Sequence, residues 1–299
     1  YVSATDAGLQ IVNVSDPATP VLIGSYDTPG SAREAAIGGS YAFVADSTGG
    51  VEILNISNPT IPTLVTTYTV PGPAIGVTFQ DNLLFIALGT LGFEVVDVSH
   101  PSAPVKLSDR DTPGFCYHVD HQFNWLEVTD DSTGMLVYLF NDPAAPSLLS
   151  TISTPGRALG VRMYHSDSYV ADDDAGMVVM DPSGFSDPPI LGSYDTPGMA
   201  NHIAASAGYA YVADGSGLCI LRSCSCCIGR TGDIDNNGIV DIQDLTAYVD
   251  AMFLSVGFGF LCPYAANING DPNGVVDVSD LTALIDHLFI NFAPTAPCQ

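Results

Sequence analysis

Gly8-Leu-Gln-Ile-Val-Asn-Val-Ser-Asp-Pro17 runs on to Gly24-Ser-Tyr-Asp-Thr-Pro-Gly30, and both phrases return down the chain. The Pro-Gly step stands at Pro29, Pro71, Pro113, Pro155 and Pro197, 42 residues apart each time. A second phrase recurs between these marks: Tyr1-Val-Ser-Ala, Phe43-Val-Ala-Asp, Phe85-Ile-Ala-Leu, Glu127-Val-Thr-Asp, Tyr169-Val-Ala-Asp and Tyr211-Val-Ala-Asp. A glycine follows each of them, at Gly8, Gly50, Gly92, Gly134, Gly176 and Gly217, and an aliphatic phrase comes next. Pro-x-x-Pro steps then close four of the copies (Pro17/Pro20, Pro59/Pro62, Pro101/Pro104, Pro143/Pro146). Segments this short, rich in Val, Ile, Tyr and Phe and bounded by Gly, Pro and Asp, read as strands. A period of 42 residues holds four strands of about five or six residues with their turns, which is one propeller blade. Parallel β-helices have shorter coils, and helical repeats need longer unbroken apolar faces.

The strand-pair phrase occurs six times and the Pro-Gly step five. The first copy therefore lacks an inner strand and the last lacks an outer one. The expectation is a ring of about six blades with an imperfect seam, whose unpaired edge invites strand addition from a neighbouring molecule. The quoted phrases resemble the LVIVD-repeat β-propellers, from Tyr1 to about Arg222. That resemblance implies a mainly β fold on a secreted or surface-exposed protein; it is informative about fold and poor about function.

Past this point the chain changes character, dividing it into residues 1–222 and 223–299. Two twelve-residue segments, 36 residues apart, carry oxygen side chains at positions 1, 3, 5, 9 and 12. In the first these are Asp233, Asp235, Asn237, Asp241 and Asp244; in the second, Asn269, Asp271, Asn273, Asp277 and Asp280. Calcium takes six to eight hard oxygen ligands, and this spacing wraps a short loop around one ion. Gly238 and Gly274 permit the sharp turn, and Ile239 and Val275 offer backbone carbonyls at position 7. Each loop leads into an apolar helix. The second can also be read from Asn267 with a Pro-Asn insertion, but the register from Asn269 needs none. Either way its first ligand is Asn, which removes a negative charge and weakens the site. The alternative is a pair of Asx-rich turns without metal. With Asp at position 12 and Asp-Leu opening each helix, the doubled unit resembles a type I-like dockerin domain from about Cys226 to Cys298. The resemblance implies a small α-helical module with two Ca²⁺ ions, a plug for a cohesin-type socket on another polypeptide.

The formal net charge is −26, which argues against nucleic acid and anionic membrane surfaces as partners. Only four acidic residues are Glu, so the acid belongs to turns and loops; a salt-rich habitat is an alternative cause. No stretch is apolar enough to span a bilayer: the longest charge-free apolar one, Ala251 to Ala266, is short and broken by Ser255, Gly257, Gly259 and Pro263. No signal peptide is visible, and Tyr1 opens inside a strand pattern, as in a mature or truncated product. Of seven cysteines, Cys224, Cys226, Cys227, Cys262 and Cys298 flank or lie in the C-terminal segment. A domain this small needs staples, which points to disulfides and an extracellular setting. Cys219 and Cys224 form a further candidate pair. Cys116 takes the place of Ala32, Ala74, Ala158 and Ala200 in the repeat, so it reads as a buried free thiol.

No catalytic signature is present, neither Gly-x-Ser-x-Gly nor His-Glu-x-x-His nor a phosphate loop. One inner-strand repeat position reads Glu34, Gly76, His118, Gly160, His202, beside the polar Arg33, Tyr117 and Asn201. A solvated channel wall is the simpler reading; a small-ligand or metal site is the alternative. Asp46, Asp130, Asp172 and Asp214 share another position and read as Asx turns into the following glycine. Asn13-Val-Ser15 and Asn55-Ile-Ser57 are glycosylation-type sequons, weak evidence at three residues each. The sequence thus leads to a secreted, non-catalytic structural or interaction protein that assembles through calcium, with a cohesin-like module or a neighbouring copy as partner. The rival is a glycan-binding or polysaccharide-active propeller delivered to a scaffold by the same module.

Overall fold

Each repeat folds as an antiparallel sheet whose strands are laid down in chain order. The computed structural model describes residues 1–164, 167–182, 190–206, 209–222, 245, 249, 278–285 and 288. Six sheets form the blades of a mainly β, six-bladed propeller. The first holds β1 (Val2–Ser3), β2 (Leu9–Asn13) and β3 (Val21–Tyr26). The second holds β4 (Glu34–Gly38), β5 (Tyr41–Ala45), β6 (Val51–Asn55) and β7 (Thr63–Tyr68). The third runs β8 (Gly76–Gln80), β9 (Leu83–Ala87), β10 (Phe93–Asp97) and β11 (Val105–Arg110). The fourth runs β12 (Cys116–Gln122), β13 (Trp125–Asp130), β14 (Met135–Leu139) and β15 (Ser147–Ile152). The fifth runs β16 (Gly160–Tyr164), β17 (Asp167–Ala171), β18 (Met177–Met180) and β19 (Ile190–Tyr194). The sixth holds β20 (His202–Ser206), β21 (Tyr209–Ala213) and β22 (Leu218–Arg222). Among the described residues the two end blades have three strands each, as the phrase count predicts, the first without an inner strand and the last without an outer one.

The 42-residue period sets geometry as well as sequence. In the first five blades the two outermost strands slip register after Ile11, Ile53, Val95, Val137 and Val179. Each slip is a β-bulge, which adds local twist to the outer edge of the blade. The unpaired residue in three of them, Ile23, Val65 or Leu107, packs onto a core cluster. Five such clusters lie between successive blades, from first–second to fifth–sixth. Phe43, Phe85, Phe93 and Tyr169 are among their largest fully buried side chains, each worth about 1.5–3 kcal/mol of burial. Among the described residues no core cluster joins the sixth blade to the first; Leu218 and Ile220 on β22, and Val2 on β1, are exposed.

Backbone also ties blade to blade. Thr5, Ser47, Gly89, Asp131 and Asp173 have φ between 45° and 62° and bridge to Ala32, Ala74, Cys116, Ala158 and Ala200 of the next blade. Those slots are completely buried, which admits only a small side chain. Cys116 is accordingly a buried free thiol, and burial pushes its pKa far up.

The Asp46 position is structural, but not as a local turn. Asp46 accepts from the Thr28 hydroxyl and the Gly30 N–H, both at 2.6 Å. Asp130 does the same with Thr112 at 2.6 Å and Gly114 at 2.7 Å, and Asp172 takes the N–H of Gly156 at 2.7 Å. Each carboxylate therefore reaches back to the Thr-Pro-Gly step that leads into its own blade. Only Asp214 also makes the local pattern, accepting from the N–H groups of Ser216 and Gly217. The third blade has Leu88 in place of the acid and Val70 in place of the threonine, an apolar pair substituting for a polar one.

The chain divides into two compact units, residues 1–206 with 210–221, and residues 207–209 with 222–299. In the second, the described element is α1 (Val278–Ile285), with Asp280 fully buried in its first turn. An acid there complements the partial positive charge of a helix N-terminus. The proposed calcium ligands Asp233, Asp235, Asn237, Ile239, Asp241, Asp244, Asn269, Asp271, Asn273, Val275 and Asp277 lie outside the described residues, as do Cys224, Cys226, Cys227, Cys262 and Cys298. Cys219 carries a free thiol, partly buried against the fifth–sixth core. No described helix is long and apolar enough to cross a membrane.

Candidate metal centre

Glu34 opens β4, His118 follows the bulge at the start of β12, and His202 opens β20, so one repeat position supplies all three from every second blade. Gly76 and Gly160 hold the same position on the blades between. A Cβ on Gly76 would stand 2.9 Å from the Glu34 carboxylate and 2.7 Å from the Tyr117 carbonyl oxygen. The alternation of large and absent side chains is what lets three reach one point.

They do converge. Glu34 Oε1 lies 3.0 Å from His202 Nε2 and 3.3 Å from His118 Nε2. One potential ligand atom from each residue falls within 4.8 Å of the other two. The two imidazoles meet edge to face, their centroids 5.0 Å apart. Glu34 Oε2 accepts the Val77 N–H at 3.0 Å, which anchors the carboxylate to the third blade. Side-chain exposure falls from 49% at His202 through 21% at Glu34 to 7% at His118. His118 is thus no solvated wall residue, contrary to the simpler reading of that position. Its Nδ1 is buried without a hydrogen-bond partner.

The electrostatics bind the group together. Burial pushes the Glu34 carboxyl up, but the charge of His118 and the hydrogen bonds from His118 and His202 outweigh it and hold the carboxyl well below its ordinary range. Burial lowers His118, yet Glu34 and then Asp120 outweigh that and leave the imidazole raised. Thr129, where other blades carry Ala45, Ala87, Ala171 and Ala213, accepts the His118 N–H at 3.1 Å and fixes that strand.

A cavity of ≈ 310 Å³ adjoins the cluster, lined by Glu34, Val77, Phe79, His118, Arg162 and His202 among others. Arg162 is held from behind: its Nη1 is 3.3 Å from Asp120 Oδ1, and Asp120 Oδ2 accepts the Met163 N–H at 2.8 Å. Asp120 and Arg162 did not emerge from the sequence, yet a signal existed. Their repeat position, two residues beyond that of the cluster, reads Ala36, Thr78, Asp120, Arg162, Ala204. Period-two alternation puts it on the same strand face, with opposite charges on adjacent blades. Of the polar neighbours noted at the outset, Tyr117 accepts from Arg157 at 2.9 Å and Asn201 donates to the Met199 carbonyl at 2.8 Å. Neither enters the cluster.

The LVIVD repeat matches residues 1–28, 29–70, 71–112, 155–196 and 197–221, more than half of the chain. The chain belongs to the LVIVD-repeat family. The matches pass over residues 113–154, the fourth blade, which carries His118, Asp120 and Thr129. No curated protein matches the sequence. Among solved structures, the computationally designed Ika8 protein is similar over 73% of this chain and 66% of its own length, just under two thirds, at 10% identity and a TM-score of 0.55. The likeness shows the propeller fold alone. The computationally designed Ika4 protein aligns over 52% of this chain and 95% of its own, at 10% identity and a TM-score of 0.43.

Proposed function

We propose that this LVIVD-repeat protein is an extracellular, non-catalytic assembly protein, in which a rigid propeller is attached to a scaffold or fibre by a calcium-loaded, dockerin-like C-terminal module. The observation that carries the reading is the tandem of twelve-residue loops, 36 residues apart, each with five oxygen side chains at calcium spacing and a glycine at position 6. Asp280, the twelfth residue of the second loop, is buried in the first turn of α1, which supports a structural role for that carboxylate. The partner is a cohesin-like module or a neighbouring copy. Docking onto the next copy would be a heterologous contact, which propagates into a fibre instead of closing. β22, the edge strand of the sixth sheet among the described residues, with Leu218 and Ile220 exposed, supports a strand-addition contact.

Electron microscopy of the full chain in calcium and then in chelator tests this. Calcium-dependent polymers, or calcium-dependent capture of a cohesin-like module, are the expected result. The double change Asp233→Ala with Asp244→Ala should remove one calcium equivalent; an unchanged stoichiometry overturns the assignment of the first loop. A second reading, glycan binding by the propeller, is favoured by the axial cavity beside Glu34, His118 and His202. It predicts a monomer whose glycan binding is lost when those residues are changed.

A further inference from the structure

We propose that Glu34, His118 and His202 form a three-ligand site for a divalent transition-metal ion of the Zn²⁺ class, with an open coordination position facing the cavity beside Arg162. The site is independent of the calcium loops and of the docking role.

Donor chemistry makes the first argument. Two imidazoles and one carboxylate suit zinc and its neighbours, whereas calcium wants a cage of six or more oxygens. Geometry makes the second. Zinc binds imidazole nitrogen and carboxylate oxygen at about 2.0–2.2 Å, so tetrahedral ligands sit roughly 3.3 Å from one another. The observed Oε1–Nε2 separations of 3.0 and 3.3 Å are already close to that, and one ligand atom from each of the three residues lies within 4.8 Å of the other two. Preorganisation makes the third. The Val77 N–H holds the other oxygen of Glu34, and Thr129 fixes the backbone of His118. The three ligands come from alternate blades of one rigid ring, so none depends on a loop.

Three protein ligands leave a fourth position for water or a small anion. The cavity supplies a place for one, and the Arg162 guanidinium supplies a positive charge on its wall. Among the described residues lining the cavity Glu34 is the only carboxylate, and as a ligand it is not free to act as a general base. That favours anion capture over hydrolysis. The site lacks one usual support: His118 Nδ1 has no hydrogen-bond acceptor. Missing outer-shell partners cost about 10–100-fold in metal affinity, so binding should be moderate in strength.

The test uses the full chain, saturated with calcium and held reduced, titrated with Zn²⁺ by calorimetry and with Co²⁺ by visible absorption. Wild type should take up one ion whose cobalt spectrum lacks thiolate charge-transfer bands. His202→Ala should lose that ion or bind it at least about 100-fold more weakly, beyond the range of outer-shell changes. His202 is half exposed, so this variant should keep the fold, and Glu34→Gln gives a second one if it does not. Wild type that takes up no ion overturns the proposal. So does an ion with a thiolate spectrum unaltered by His202→Ala or Glu34→Gln, which would place the metal on the C-terminal cysteines.

Discussion

Asp130 and Glu34 are carboxylates at two repeat positions of the same propeller, and they behave in opposite ways. Asp130 is satisfied inside its own blade, by Thr112 and Gly114, and its counterparts Asp46, Asp172 and Asp214 repeat the bond to the glycine. Where the acid is missing, at Leu88, its partner threonine is missing too, at Val70. Glu34 has no counterpart, and its two oxygens face groups from the third, fourth and sixth blades. A polar group copied with the period holds each blade together. A polar group that breaks the period, and meets others that break it, belongs to a site. The sharpest way to break this distinction is stability. Asp130→Ala strands a buried hydroxyl and an N–H that each bond a charge, so it should cost about 3 kcal/mol. Glu34→Ala strands the Val77 N–H but opens onto the cavity, where water can replace the carboxylate, so it should cost less, about 1–2 kcal/mol. Denaturation followed by Trp125, the chain's single tryptophan and a residue of the fourth blade, reads both. Thr112→Val with Asp130→Leu, copying the third blade, should recover at least half of the loss. Equal costs for the two alanine changes would dissolve the distinction.

Breaking the period is not enough by itself, and Glu127 sharpens the point. It occupies the slot held elsewhere by Phe43, Phe85, Tyr169 and Tyr211. It is fully buried; one oxygen accepts the Ser168 hydroxyl at 2.6 Å and the other has no partner. Ser168, polar in a column that otherwise reads Ala42, Leu84, Leu126 and Ala210, breaks the period too, but one hydroxyl supplies neither the charge nor the imidazole nitrogens that His118 and His202 bring to Glu34. Burial pushes its carboxyl up to about 8. A carboxyl raised above its unfolded value binds a proton on folding, so its effect is absent below pH ~4.5 and grows against the folded state as pH rises towards 8. Wild type should therefore lose on the order of 3 kcal/mol between pH 5 and 9 through this group. In Glu127→Gln that share of the slope should vanish while the Ser168 bond survives. Parallel pH–stability curves for the two proteins, again followed at Trp125, would show that Glu127 is ionised in the fold.

Much of the ring was legible because its signals are local. The bounded apolar segments gave strands, the spacing of Pro29 and its copies gave blades, and the Ala32 column gave the fate of Cys116. What stayed hidden spans the gaps between local units. Asp46 reads as a turn residue because its real partners stand sixteen and eighteen residues away. Glu34, His118 and His202 shared a column in the sequence, but they are separated by 84 residues each. Their meeting depends on how tightly successive blades curve about the axis, and strand patterns do not encode that curvature. Asp120 and Arg162 needed the same knowledge, that one column on adjacent blades means contact.

The finest distinction lies between the two glycines that separate the large residues of the cluster. Neither has positive φ, so alanine at either meets no backbone penalty and reduces the freedom of the unfolded chain, worth about 0.4–1 kcal/mol in its favour. Space decides the rest. At Gly160 the nearest atom to a new Cβ is the Cα of His202, 3.2 Å away, and a shift of a few tenths of an ångström relieves it. At Gly76 the Cβ would stand 2.7 Å from the Tyr117 carbonyl oxygen, which is backbone of the next blade, and 2.9 Å from Glu34 Oε2. The carboxylate can turn away; the carbonyl moves only with its strand, the one that carries His118. Gly160→Ala should therefore stay within about 0.5 kcal/mol of wild type, while Gly76→Ala costs roughly 1–2 kcal/mol through overpacking. Because the same displacement pulls Glu34 off its Val77 anchor, Gly76→Ala should also weaken Zn²⁺ uptake, and Gly160→Ala should not. Indistinguishable stability and metal uptake in the two variants would mean that the spacing between these blades is elastic, and that the alternation of large and absent side chains does not set where the three ligands meet.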